Sequence, residues 1–185
     1  MVIDGYVNAV ERDSKPLTDP STGARYLEQV RAGAFQRALD RGGSVLLLSN
    51  HNYDRVLGAT GDNLLLHEDT IGLRAHAVIT DPEVISDARE HRLKGWSFGF
   101  RATAESEEDA RDGMKRRFVE DLDLIEVSII SGGYVPAYNG TLIEARAEAG
   151  SVSDVLEVRA DYVDAREPID FTPYRERIAA LKKEE

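Results

Sequence analysis

Runs of alternating apolar and polar residues, broken by glycine, proline and aspartate, fill the chain up to about residue 146. VIDGYVNAVER (2–12) alternates as a strand does, and SKPLTDPSTGAR (14–25) reads as a loop. YLEQVR (26–31) predicts a second, short strand. After Gly33, AFQRALDRG places Phe35, Ala38 and Leu39 at helical spacing before a glycine stop. SVLLLSN (44–50) is an apolar run bounded by turn residues, the pattern of a buried strand. NLLLHED (63–69) and GLRAHAVIT (72–80) predict a hairpin. DPEVISDAREHRLKG (81–95) has Asp81 as N-cap, Pro82 at the first helical position and a terminal glycine, which predicts a helix. WSFGFRATAES (96–106) alternates cleanly, SEEDARDG (106–113) reads as an acidic turn, and MKRRFVEDLDLIEVSIIS (114–131) returns as one or two strands.

In GGYVPAYNGTLIEAR (132–146) turn signals precede a short strand. From about residue 147 the periodicity weakens, and TPYRERIAALKKEE (172–185) predicts a terminal helix with Thr172 as cap and Pro173 at its first position. The expected fold is α+β or mainly β: an antiparallel, barrel-like core of about seven strands with two or three flanking helices, rather than a parallel sheet. The expected organisation is one domain over 1–146 followed by an acidic extension, 147–185.

Composition narrows the function classes. A net charge of −11, from 23 basic and 34 acidic residues with no basic block, argues against nucleic acid or an anionic membrane as the main partner. No apolar run approaches the roughly 20 residues of a membrane helix, and MVIDGYVNAVERD lacks the pattern of a signal peptide. The chain has no Cys, which excludes disulfides, thiol nucleophiles and Cys-ligated metal. Its four histidines form no H-x-x-x-H or similar pair, so a zinc site is not expected, and no cofactor is expected.

Gly95-Trp96-Ser97-Phe98-Gly99 matches G-x-S-x-G, the nucleophile elbow of α/β-hydrolases. An elbow needs a helix directly after the serine, with the histidine later in the chain. Here the period-2 pattern continues through Phe100 and Arg101, and His51, His67, His76 and His91 all precede Ser97. The elbow reading therefore fails. In a strand, Trp96, Phe98 and Phe100 share one face, and Ser97, Gly99 and Arg101 share the other. A lone strand serine is more often structural than catalytic, so the weight falls on the residues that could accompany it.

His51 follows a buried strand inside a polar turn, LLLSNHNYDRVLG, where it can project into a cleft or simply face solvent. His67 suits a surface hairpin, His76 a covering position on the sheet, and His91 the end of a helix, where a cation favours the dipole. In VEDLDLIEVSII, Ile125, Val127 and Ile129 define an apolar face, and Glu126 and Ser128 lie on the other. Glu126 is either the polar side of a half-solvated strand or the acid of a triad. A carboxylate, an imidazole and a hydroxyl are the three parts of a nucleophilic triad. The order His–Ser–acid matches no α/β-hydrolase.

Taken in order, Gly33-Ala34-Phe35, LLLSNHN, Leu57-Gly58, Gly72-Leu73, the 82–92 helix, Trp96-Ser97-Phe98-Gly99-Phe100 and Leu124-Ile125-Glu126-Val127-Ser128 resemble the prohead (capsid maturation) protease family of tailed bacteriophages. That family is related to the herpesvirus maturation proteases, and the resemblance covers about residues 2–146. It implies a herpesvirus-protease-like fold and a serine endopeptidase with Ser97 as nucleophile and His51 as general base. Glu126 stands where the herpesvirus relatives carry a second histidine. By analogy the Gly132–Gly133 backbone supplies the oxyanion donors. Asn52 replaces the aspartate that often follows the histidine, and Ser131-Gly132-Gly133-Tyr134 replaces a direct run into a Pro-Ala segment.

The implied substrates are scaffolding protein or the scaffolding part of the major capsid protein, with self-cleavage, inside an immature shell in the host cytoplasm. A homo-oligomer is a further expectation, and 147–185 would be a processed tail, a shell-targeting element or an oligomerisation helix. The competing reading is a non-catalytic assembly or scaffold-like module that keeps the protease fold.

Overall fold

The computed structural model describes residues 1–110, 113–133, 138 and 142–146. In chain order the elements are β1 (Val2–Ala9), β2 (Leu17–Thr18), β3 (Arg25–Val30), α1 (Ala34–Asp40), β4 (Leu46–Ser49), β5 (Asn52–Ala59) and β6 (Leu64–Glu68). There follow β7 (Gly72–Val78), α2 (Pro82–Arg89), β8 (Leu93–Asp109), β9 (Lys115–Ser131) and β10 (Leu142–Arg146). The predicted terminal helix and the acidic extension that carries it lie outside the described residues. Among those described, no helix is long and apolar enough to cross a membrane.

The strands form two sheets. One is antiparallel, ordered β10-β1-β7-β6; the other is ordered β2-β3-β9-β4-β5, with β8 also paired to β9. β9 organises the second sheet. Along one edge it pairs antiparallel with β8, from Leu93↔Ser131 to Asp109↔Lys115. Along the other it takes two short strands end to end, both parallel: β3 against Lys115–Val119 and β4 against Glu126–Ile129.

Most pairs are antiparallel, as expected, but β3 and β4 dock parallel on β9, and among the described residues the sheets close no barrel. The physical reason is length. At 17 residues β9 has room on one edge for two short partners in succession, so the sheet branches around it instead of wrapping. β5 is also an addition, lying where the sequence predicts only a turn. The acidic turn is shorter than predicted, because β8 runs on to Asp109. Its charges meet basic residues across the pair, Asp109 with Lys115 and Glu108 with Arg116. Exposed pairs of this kind contribute little to stability, because water screens them.

Ile3, Val7, Phe35, Leu47, Leu73, Trp96, Val127 and Ile129 are buried in one core. Full burial of such side chains is worth about 1.5–3 kcal/mol each. Phe98 packs edge-on against Phe35 of α1 with ring centroids 5.2 Å apart, and meets Tyr138 at 5.3 Å. Phe100 stacks on Phe98 at 5.2 Å, two residues along the strand. The aromatic face read from the sequence is thus the core face of β8, and it fixes the opposite face for Ser97.

The helix starts are satisfied by carboxylates. Glu68 of β6 accepts hydrogen bonds from the Gly33 and Gln36 amides, the latter at 2.8 Å, which serves the first turn of α1 from another element. Asp81 caps α2, accepting from Glu83 at 3.0 Å and Val84 at 2.9 Å, with Pro82 where no amide is needed.

Candidate active site

The site is built on three neighbouring strands of the second sheet, β4, β9 and β8. Ser49 pairs with Asn52, so β4 and β5 are joined by a two-residue turn, Asn50-His51. Both turn residues are left-handed, at φ 52° and 57°. Such a turn matches the twist of a hairpin, and asparagine tolerates that conformation better than most residues. The turn is tied to β9: the Asn50 amide donates to the Ile129 carbonyl at 3.0 Å, and the Asn50 side-chain oxygen accepts from the Ser131 amide at 2.8 Å. His51 therefore leans over the edge of β9 from a pinned mount.

His51 Nδ1 lies 2.8 Å from Oε1 of Glu126. Glu126 is 1% exposed, while the His51 side chain keeps 31% of its surface. An ionised carboxylate only accepts, so Nδ1 is the donor of this bond, and in the neutral ring Nε2 would present the lone pair. The second carboxylate oxygen, Oε2, accepts the Ser128 hydroxyl at 2.6 Å. A buried carboxylate is costly unless it is paired and hydrogen-bonded, and here both of its oxygens are engaged.

Ser97 lies on β8 opposite Ser128, and Gly99 lies opposite Glu126. The serine is thus one strand away from the histidine–carboxylate pair and two residues out of register with the acid. From Gly95 to Gly99 the β8–β9 register is regular, and it is interrupted on each side. On the Glu126 side one residue of β9, Ile125, is left without a partner on β8. This bulge switches the phase of β9. Before it Leu122 points into the core; after it Val127 and Ile129 do, an odd number of residues later. Glu126 and Ser128 are consequently placed on the Ser97 side.

Among the described residues, the hydrogen bonds of the His51 side chain run to Glu126 and Ser128, and none runs to Ser97. Catalytic hydrogen bonds are often long before substrate binds. Gly132 and Gly133 form the exposed turn directly after β9, with open space around both and Gly132 at φ 68°. Asn52 is exposed and its side chain accepts the Asp54 amide at 2.9 Å, away from the site.

The other histidines are elsewhere. His67 and His91 are exposed. His76 meets Asp4 at 2.9 Å across the first sheet, a second His–carboxylate pair with no serine beside it in register. Among the described residues no cluster of His, Asp and Glu could hold a metal ion. Ser128 is the site residue that sequence reasoning passed over. Its shared face with Glu126 was the available signal, but an apolar strand hides which of its serines meets a carboxylate.

A serine, a histidine and a buried carboxylate brought to one sheet from three separate segments are the parts of a serine hydrolase. A family model described as caudovirus prohead serine protease matches residues 1–155, and the chain belongs to that family. It is a serine peptidase with a role in phage head maturation. No curated protein matches the chain.

Proposed function

We propose that the chain is the endopeptidase that cleaves scaffolding or capsid precursor protein, and itself, inside the phage procapsid, with Ser97 as nucleophile, His51 as general base and Glu126 as its orienter. One observation carries the assignment: the 2.8 Å bond between His51 and the buried Glu126, one strand from Ser97. Ser97 Oγ attacks the scissile carbonyl carbon while its proton passes to Nε2 of His51. Glu126 holds the tautomer and stabilises the imidazolium that forms.

The negative charge on the carbonyl oxygen needs amide donors, and the Gly132 and Gly133 N–H groups are the proposed pair, supported by their open surroundings. Collapse of the tetrahedral adduct breaks the C–N bond, and the imidazolium returns the proton to the leaving amine. Water, deprotonated by His51, then attacks the acyl carbon, the ester C–O bond breaks, and the imidazolium returns the proton to Ser97 Oγ.

The test is incubation of wild type and Ser97→Ala with the capsid precursor, with products mapped by mass spectrometry. Cleavage by wild type and none by a folded Ser97→Ala is the expected result. Equal cleavage by both would mean that the nucleophile lies elsewhere.

A further inference from the structure

β9 carries a buried hydroxyl beside the acid that the acyl-transfer chemistry does not use. Ser128 is completely buried, two residues beyond Glu126 on the same face. Its hydroxyl donates to Glu126 Oε2 at 2.6 Å, and Ser128 Oγ in turn accepts the backbone N–H of His51 at 3.1 Å. Resting on the His51–Ser97–Glu126 reading, we propose that Ser128 is a positioning residue of the peptidase, which ties the backbone of the base to the carboxylate that orients its ring.

Three hydrogen bonds then form a closed circuit that begins and ends on one residue. It runs from the His51 amide to Ser128 Oγ, from Ser128 to Oε2 of Glu126, and from Oε1 back to His51 Nδ1. Turning the carboxylate breaks two of these bonds together, and shifting the turn breaks the third. With Oε2 engaged, Oε1 is the oxygen left to receive the imidazole proton, so the ring orientation follows from the placement of Ser128. The His51 amide lies inside a two-residue turn, and Ser128 also satisfies this donor. Ser128 itself is no nucleophile: it is sealed from substrate, and its proton is committed to the carboxylate.

The experiment uses the full chain and diisopropyl fluorophosphate, followed by intact mass. In labelling, Ser97 Oγ bonds to phosphorus, fluoride leaves, and the hydroxyl proton passes to His51. Wild type, Ser97→Ala, Ser128→Ala, Ser128→Cys and Ser128→Thr are compared, with rates expressed per folded molecule from melting curves. Ser128→Cys preserves the shape with only a weak donor, which keeps the test decisive if the alanine variant does not fold. Expected are labelling at Ser97 alone, a loss of about 10-fold or more in Ser128→Ala and Ser128→Cys, and recovery in Ser128→Thr. A loss of about 10-fold is a part of the roughly 10²–10⁴-fold that a general base supplies.

The downfield proton signal of the His51 Nδ1–H should persist in wild type and Ser128→Thr and vanish in Ser128→Ala and Ser128→Cys. A purely structural serine would leave both the rate per folded molecule and that signal unchanged, and either result overturns the proposal. Undiminished labelling of Ser97→Ala, or none of wild type, instead defeats the triad reading on which it rests.

Discussion

A methyl group placed on Gly99 would lie 2.4 Å from Oε1 of Glu126, the oxygen that holds His51. The last glycine of the GWSFG stretch therefore has a role unrelated to an elbow: it leaves room across the strand pair for the acid. Gly99→Ala should fold, since a side chain can shift, but the carboxylate must move off the histidine. Displacements of about 1 Å at such a site can cost about 10²-fold in rate. Cleavage of the capsid precursor should fall by about that factor while the melting temperature moves little. Wild-type turnover in Gly99→Ala would contradict the role of Glu126.

Glu126→Gln keeps the size of the side chain but can present an N–H to the histidine instead of an acceptor. The favoured tautomer would then put the proton on the nitrogen meant to receive one from Ser97. Cleavage should fall by about 10⁴-fold, the scale seen when the acid of a serine-protease triad becomes its amide. Steady-state cleavage of the precursor measures it, and a loss under about tenfold would remove Glu126 from the triad.

His51 serves the proposed chemistry at a conformational cost. In the left-handed region a residue with Cβ is disfavoured by about 1–2 kcal/mol relative to glycine. His51→Gly and His51→Ala should both be inactive, yet the glycine variant should be the more stable of the two by about 1 kcal/mol in urea unfolding. Equal stability would mean that the turn relaxes out of that conformation.

Asp81 gives a pH dependence whose direction can be worked out. Burial pushes its carboxyl up, but the Val84 amide, Arg55 and the Glu83 amide together more than reverse this, and the net value lies below the usual aspartate range. Its contribution is fully present above the unfolded-state value and is lost as pH falls through the lower folded value. Asp81→Ala should cost about 0.5–2 kcal/mol at neutral pH, the range for loss of an N-cap. Denaturant unfolding should show the gap to wild type narrowing in acid. A gap independent of pH would show that the carboxylate's charge contributes nothing.

Much of this is legible in the chain itself. The alternation of Trp96, Phe98 and Phe100 against Ser97 and Gly99 marks the faces of β8, because side-chain parity along a strand is a local property. Asp81-Pro82 marks the start of α2 for the same reason. What stays hidden is non-local. The parallel docking of β3 and β4 on β9 leaves no mark on any one segment. NYDRVLGA alternates too weakly to announce β5; of its residues only Tyr53 is buried. The bulge at Ile125 shifts the parity of β9 midway, so Leu122 and Val127 both reach the core in defiance of a single period-2 reading. His51 and Glu126 could be nominated from the chain, but their 2.8 Å contact depends on β4 lying beside β9.

β9 enters the chain last among the strands that position the triad, and it brings Glu126 and Ser128 with it. During synthesis His51 and Ser97 precede the strand that joins them, so on the proposed triad a nascent chain holds the candidate nucleophile and base before the acid that would orient them. On the same triad, a product truncated before Glu126 should be inert.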